Sequence, residues 1–203
     1  AGLDLWIIMK FRGGLARAMG RPDVPTPGYA GLMELVAILD NENSDKKYVQ
    51  EVARQTLQSF FPSWLPPAFS ILFSKNAPAL ACRINAWVAS RTCGWLVGPE
   101  MEVNDAGQGL LVKRCRCLEE SGCASICVNT CKIPTQTFFK ENMGLPLLME
   151  PNYEDFSCQF SFGKSPPLPQ EDESFQVACL AQCPNKATGL KSKRQCSKLD
   201  LEL

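Results

Sequence analysis

Six cysteines in the second half of the chain have types and spacings that could hold a metal. Cys123, Cys127 and Cys131 fall at intervals of four, Cys158 stands alone, and Cys179 and Cys183 repeat the interval before a proline. On an α-helix a four-residue step rises about 6 Å and turns about 40° beyond a full revolution, so Cys123/Cys127 or Cys127/Cys131 would project neighbouring sulfurs from one face. All three together would spread over about 12 Å of straight helix, which is long for one cubane unless the helix ends or bends within the run. The chain has no histidine, so a transition metal would have to rely on thiolates or carboxylates. An iron–sulfur cluster is the leading reading, since four of the six thiols would satisfy one 4Fe-4S unit. A four-thiolate zinc site and simple disulfides are the alternatives.

Other chemistry is poorly represented. Without imidazole there is no serine or cysteine nucleophile paired to a histidine and no facial triad. No glycine-rich phosphate loop is present. Glu150, Glu154 and Asp155, around the turn MEPNYEDFSC, could touch a metal or substrate, although acidic residues in turns more often cap backbone amides. Cys82 and Cys93 sit among apolar neighbours as small core residues.

The elements that must position these residues follow from periodicity. The chain has 203 residues, 45% of them hydrophobic, enough for a proper core without disulfides. Lysine plus arginine, 21, equals aspartate plus glutamate, 21, so no global field points to nucleic acid. No apolar run approaches the roughly 20 residues of a spanning helix. Residues 2–19 have helical spacing, with Leu3, Ile7, Phe11, Leu15 and Met19 on one side and a cationic opposite side. Residues 29–40, 46–60 and 75–96 read as further helices, with a capping turn at Asn41 to Asp45. Between them FFPSWLPPAFSILF, Phe60 to Phe73, is an apolar elbow in which Pro62, Pro66 and Pro67 prevent a continuous helix, either buried or dipping into a membrane.

From Glu100 the pattern changes to strands, EMEVND and LLVKRCRCL, which would place Cys115 and Cys117 on one strand face. CASICVNTC and TQTFFKENMG read as two helices, and PLLME and FSCQFSF as extended pieces. The expected fold class is α+β, mostly α: a helical part, 1–98, then a cysteine-rich part, 99–185, with a small β hairpin and helices around a metal centre. A basic tail, 186–203, with Lys191, Lys193, Arg194 and Lys198, would follow.

The run LEESGCASICVNTCKIPTQTFFKENMGLPLLMEPNYEDFSCQFSFG, then PP and CLAQCPN, resembles the Dwarf twenty-seven family of plastid β-carotene isomerases, over residues 118–185. The ordered combination of ESGC, CKIPTQTFF, MEPNYEDFSC and FGKSPP is far more specific than cysteine spacing. The resemblance implies an iron-containing isomerase that interconverts all-trans and 9-cis β-carotene, or another cis isomer, in strigolactone-precursor synthesis. It places Cys123, Cys127, Cys131, Cys158, Cys179 and Cys183 at motif positions and favours iron over zinc or disulfides.

A carotenoid is an apolar rod, so its site needs apolar walls. Phe138, Phe139, Met143, Phe156, Phe160 and Phe162 are the expected substrate contacts. A plastid location with a trimmed transit peptide, soluble or in peripheral contact with a membrane through the elbow and the cationic helix, completes the expectation. The alternatives are a carotenoid or lipid carrier with a structural cluster, and an electron-transfer protein; any electron donor is unspecified.

Overall fold

A computed structural model of the chain describes residues 2–181 together with Cys183, Cys196 and Leu199. Apart from Cys196 and Leu199, the expected basic tail lies outside the described residues. The described part is mostly helical with one small antiparallel sheet, an α+β arrangement.

Three helices open the chain: α1 (Gly2–Ala18), α2 (Gly28–Glu42) and α3 (Lys46–Ser59). Asp45 starts α3 by accepting hydrogen bonds from the amides of Lys47 and Tyr48 at 2.9 and 3.2 Å, which satisfies two otherwise orphaned donors. Helix α1 packs against α2 and α3 through Ile8, Arg12, Leu15 and Ala16. Leu3, placed by spacing on the core side, is exposed, because only the later turns of α1 have neighbours to pack on. Buried Arg12 donates to Asp23 Oδ1 at 2.9 Å and to the carbonyls of Val24 and Gly28 at 2.8 and 3.1 Å.

The elbow is more helical than its prolines suggest. Pro66 and Pro67 occupy the first turn of α4 (Leu65–Phe69), where a missing N–H breaks no bond. The helix continues as a π-helical turn, Ser70–Ser74, then α5 (Pro78–Thr92) and α6 (Gly94–Val97). The helix expected over 75–96 is therefore interrupted at Cys93, and Leu80, Trp87 and Val88 of α5 are exposed.

Strands β1 (Met101–Val103) and β2 (Gly109–Val112) form the expected hairpin, but β2 ends before the cysteines. Cys115 instead precedes α7 (Arg116–Ser121), and Cys117 lies inside it. Their shared strand face is thus corrected to a loop and a helix. Gly98, which ends α6 at φ +109°, lets the segment before Cys115 pack close, because a Cβ there would lie 2.8 Å from the Arg114 carbonyl oxygen.

The next helical run is continuous: α8 (Ala124–Ile126), a π-helical stretch Cys127–Lys132, and α9 (Ile133–Glu141). Pro134 cannot donate to the preceding turn, and the widened π-helical path just ahead of it relieves the clash its ring would cause in a regular helix. Two helices were expected here; one bulged helix forms. Gly144 then reverses the chain with φ +65° into β3 (Leu147–Pro151) and β4 (Cys158–Phe162). The sheet order is β1-β2-β4-β3, all pairs antiparallel. Cys158 lies opposite Val112 on one side and Pro151 on the other, so the sheet fixes its position from both neighbours. Among the described residues, no helix is long and apolar enough to cross a membrane.

Candidate metal centre

The candidate ligand cysteines divide between two cores, with Cys82 also in the first and Cys196 in a third, small cluster that Cys179 touches. Cys115, Cys117, Cys127 and Cys158 are buried in one core formed by α5, α7, the π-helical stretch and the sheet, with Cys131 and Cys93 packed at its margin. Cys123 and Cys183 are buried in a second core with α1, α2 and α3, and Cys179 packs against it. The split starts at Gly122, whose left-handed φ of +53° ends α7, and at Cys123, which caps α8 in extended conformation. Its side chain leaves the helical face that carries Cys127 and Cys131. A π-helical turn takes more residues than an α-helical one, so a four-residue step brings Cys127 and Cys131 closer to alignment.

Within the first group, Cys127 is in electrostatic range of Cys131, Cys158, Cys115 and Cys117. Cys158 and Cys117 each feel Cys131 and Cys115. Burial pushes all three thiols well above the ordinary range, and the neighbouring sulfurs push them further. Cys131 is pushed up to about 12 by burial, with Cys115 adding to it. Cys123 is likewise pushed up to about 12, again chiefly by burial, with Cys183 as a neighbour. Five thiols gathered in so dry a place resist ionising together, a cost that a bound cation would offset. No disulfide joins any of them.

Cys115 is held by an unusual backbone. Its amide donates to the Phe156 carbonyl at 2.7 Å, and Phe156 is the one described non-glycine residue with positive φ, +62°. That conformation is costly for a bulky residue, and it ties the segment before α7 to the start of β4. Two tyrosines complete the surroundings. The Tyr29 hydroxyl donates to the Leu96 carbonyl at 2.7 Å, Tyr29 and Cys117 line the same pocket, and the Arg116 guanidinium covers the Tyr29 ring at 3.7 Å. Tyr153 is in electrostatic range of Cys127 and Cys158 of one group and Cys123 of the other, and donates to the Ser174 carbonyl at 3.2 Å. Burial raises both phenols, so they stay protonated.

Among the described residues, no three cysteine or acidic side chains are arranged to hold a single metal ion. A polynuclear cluster sets its thiolates farther apart, because several irons and sulfides lie between them. The chemistry of the donor set, five clustered thiols without imidazole, is compatible with such a group.

An apolar pocket of about 60 Å³ reaches two of these thiols. Cys117 and Cys131 line it together with Phe11, Tyr29, Leu32, Met33 and Leu96. A larger cavity of about 460 Å³ lies elsewhere, but Lys132, Glu150, Lys164 and Asp172 line it, which suits a hydrocarbon poorly.

The other expected site residues are distributed differently. Phe138 is fully buried, stacked on Phe61 at 5.3 Å and edge-on to Phe139 at 5.6 Å. Phe139 meets Phe162 edge-on at 5.4 Å, and Met143 is buried. Phe156 and Phe160 are half-buried against the first core. None of the six lines the pocket at Cys117 and Cys131. Glu150 is exposed on β3, and Asp155 accepts from the Ser157 amide at 2.8 Å; hydrogen bonding with the Ser157 side chain, to which that amide adds, holds its carboxyl below the usual range. Glu154 is exposed in the same turn. Sequence reasoning left out Cys115, Cys117, Tyr29 and Tyr153. The C-x-C pair and the tyrosine inside MEPNYEDFSC were the available signals.

The sequence model described as "Beta-carotene isomerase D27-like, C-terminal" matches residues 90–171. The chain is 32% identical over 158 residues to "Beta-carotene isomerase D27, chloroplastic" of Arabidopsis thaliana, covering 74% of this chain and 59% of that protein. It is 32% identical over 166 residues to the protein of the same name from Medicago truncatula, covering 78% of this chain and 64% of that one. The chain thus spans about three fifths of the length of these curated relatives. No solved structure matches it.

Proposed function

Because this chain belongs to the beta-carotene isomerase D27-like family, we propose that it interconverts cis and trans isomers of a carotenoid, with β-carotene between its all-trans and 9-cis forms as the first substrate to test. The observation that carries the reading is the apolar pocket whose wall includes Cys117 and Cys131. A hydrocarbon in that pocket would lie against the thiol centre with water excluded, and it needs no polar anchor.

In this reading an iron centre, most simply a 4Fe-4S cluster, takes its ligands from Cys115, Cys117, Cys127, Cys131 and Cys158. When bound, such a centre supplies electronic coupling that lowers the π-bond order of an adjacent polyene and so eases rotation. The chain's own contribution is positioning. Phe11, Leu32, Met33 and Leu96 hold the polyene by contact, and Tyr29, kept neutral by burial, adds an uncharged wall beside Cys117. The pocket is small for a carotenoid, so the half-buried rim at Phe11 must give way to admit the reacting stretch. The chloroplastic names of the relatives support a plastid location.

The test is anaerobic purification, assay of iron and acid-labile sulfide, and chromatography of carotene isomers after incubation with all-trans and with 9-cis substrate. Conversion that depends on iron is expected. Conversion that survives complete iron removal would overturn the iron centre, and no conversion of either isomer would overturn the isomerase.

A further inference from the structure

Helix α5 is amphipathic in the reverse sense. Its buried side consists of the small or polar Ala81, Cys82, Asn85 and Ala86, while Leu80, Trp87 and Val88 face outward. The π-helical turn packed against it exposes Ile71 and Leu72, and Trp64, just before α4, is 67% exposed. Single apolar residues on a surface are ordinary, but successive packed elements that all present large apolar side chains mark an interaction face.

Charge says what the face meets. Between Glu51 and Glu100 the sequence has no aspartate or glutamate. Lys75, Arg83 and Arg91, all exposed, lie among the outward apolar residues. None of the three makes an ion pair among the described residues. Arg83 does donate to the Ala106 carbonyl at 3.3 Å, but large apolar side chains set among cations without a carboxylate partner match a bilayer surface that carries negative headgroups.

The face also connects with the pocket. Phe60, which ends α3 four residues before Trp64, is 5.9 Å from Phe11 and 6.0 Å from Trp95, and Phe11 is 5.4 Å from Trp95. Phe11 lines the pocket. An aromatic cluster therefore joins the pocket lining to Phe60, at the end of α3 from which the chain runs on into Trp64 and α4.

We propose that α4, the π-helical turn and α5 form a docking surface for an anionic lipid bilayer, from which a membrane-dissolved carotenoid passes Phe11, Phe60 and Trp95 into the pocket. The passage rests on the carotenoid reading above; the docking does not.

The test is flotation of the whole chain with vesicles of phosphatidylcholine, with and without phosphatidylglycerol. It is paired with carotene conversion in detergent and with sedimentation velocity in the absence of lipid. The wild-type protein should float severalfold more with the anionic vesicles. A Trp64→Ser/Leu72→Ser/Trp87→Ser variant should float at least tenfold less and keep its detergent activity. No flotation of the wild type, or equal flotation of the variant, would overturn the docking surface. So would self-association that the same substitutions abolish without any vesicle binding, which would assign the face to a second copy. Flotation without conversion in detergent would sink the isomerase reading and leave the docking surface standing.

Discussion

Cys123 and Cys127, four residues apart, are buried in different cores: Cys127 among Cys131, Cys158, Cys115 and Cys117, Cys123 beside Cys183. The divergence comes from the extended backbone of Cys123 at the start of α8. Replacing each by serine should separate their roles. Cys127→Ser is expected to lower bound iron and carotene conversion by at least tenfold, and Cys123→Ser to retain most of both, as read by iron assay and isomer chromatography on the same samples. Equal loss in the two would return Cys123 to the ligand set.

The rim residue Phe11 should control access. Enlarging it with Phe11→Trp narrows a pocket already small for the proposed carotenoid, and about a tenfold lower kcat/KM is expected at unchanged iron content. Because only substrate passage is affected, the visible absorption of the centre should not move.

Lys132, next to Cys131, is an almost wholly buried charge. Its ammonium lies 2.6 and 2.7 Å from the two carboxylate oxygens of Asp172 and 2.8 Å from the Ser174 hydroxyl. Removing one partner leaves the other charge unpaired in the interior, so Lys132→Met should cost about 3–5 kcal/mol. Lys132→Met combined with Asp172→Leu should recover much of it. Urea denaturation of the single and double variants measures both values.

Gly31 lies where a Cβ would come within 2.5 Å of the Arg12 guanidinium carbon and also meet the Thr26 carbonyl oxygen. Backbone cannot move aside as a flexible side chain can, and Arg12 is tied down by its bonds to Asp23, Val24 and Gly28. Gly31→Ala is expected to destabilise by about 2 kcal/mol or more, seen as a lower denaturation midpoint.

Glu51 is held down to about 2 by the hydrogen bond from Arg54, with Gln55 adding to it. With a folded value below the unfolded 4.5, the unfolded chain binds more protons between the two. The contribution to stability is complete above pH 4.5 and is lost as the pH falls toward 2. Because this carboxylate is 44% exposed, solvent screening limits the effect to less than about 1 kcal/mol. Glu51→Gln should flatten the pH dependence of unfolding free energy in that window by no more than this.

Local pattern was enough for what depends on near neighbours. Helical periodicity located α2 and α3, the capping turn Asn41 to Asp45 contained the cap of α3, alternation marked β1 and β2, and the extended pieces PLLME and FSCQFSF coincide with β3 and β4, because hydrogen bonds and side-chain facing within an element are set by residues a few positions away. The absence of histidine confined the metal chemistry to thiolates and carboxylates, and the run from Leu118 to Gly163 carried the family. Spacing alone could not say which thiols meet. Cys115 joins Cys158 through the backbone of Phe156, and Cys117 joins Cys131 against Tyr29, across sequence separations that periodicity does not reach. The outward face of α5 was hidden for the same reason. A helix has two sides, and only the packed fold decides that small Ala81 and Ala86 face inward while Trp87 is left outside.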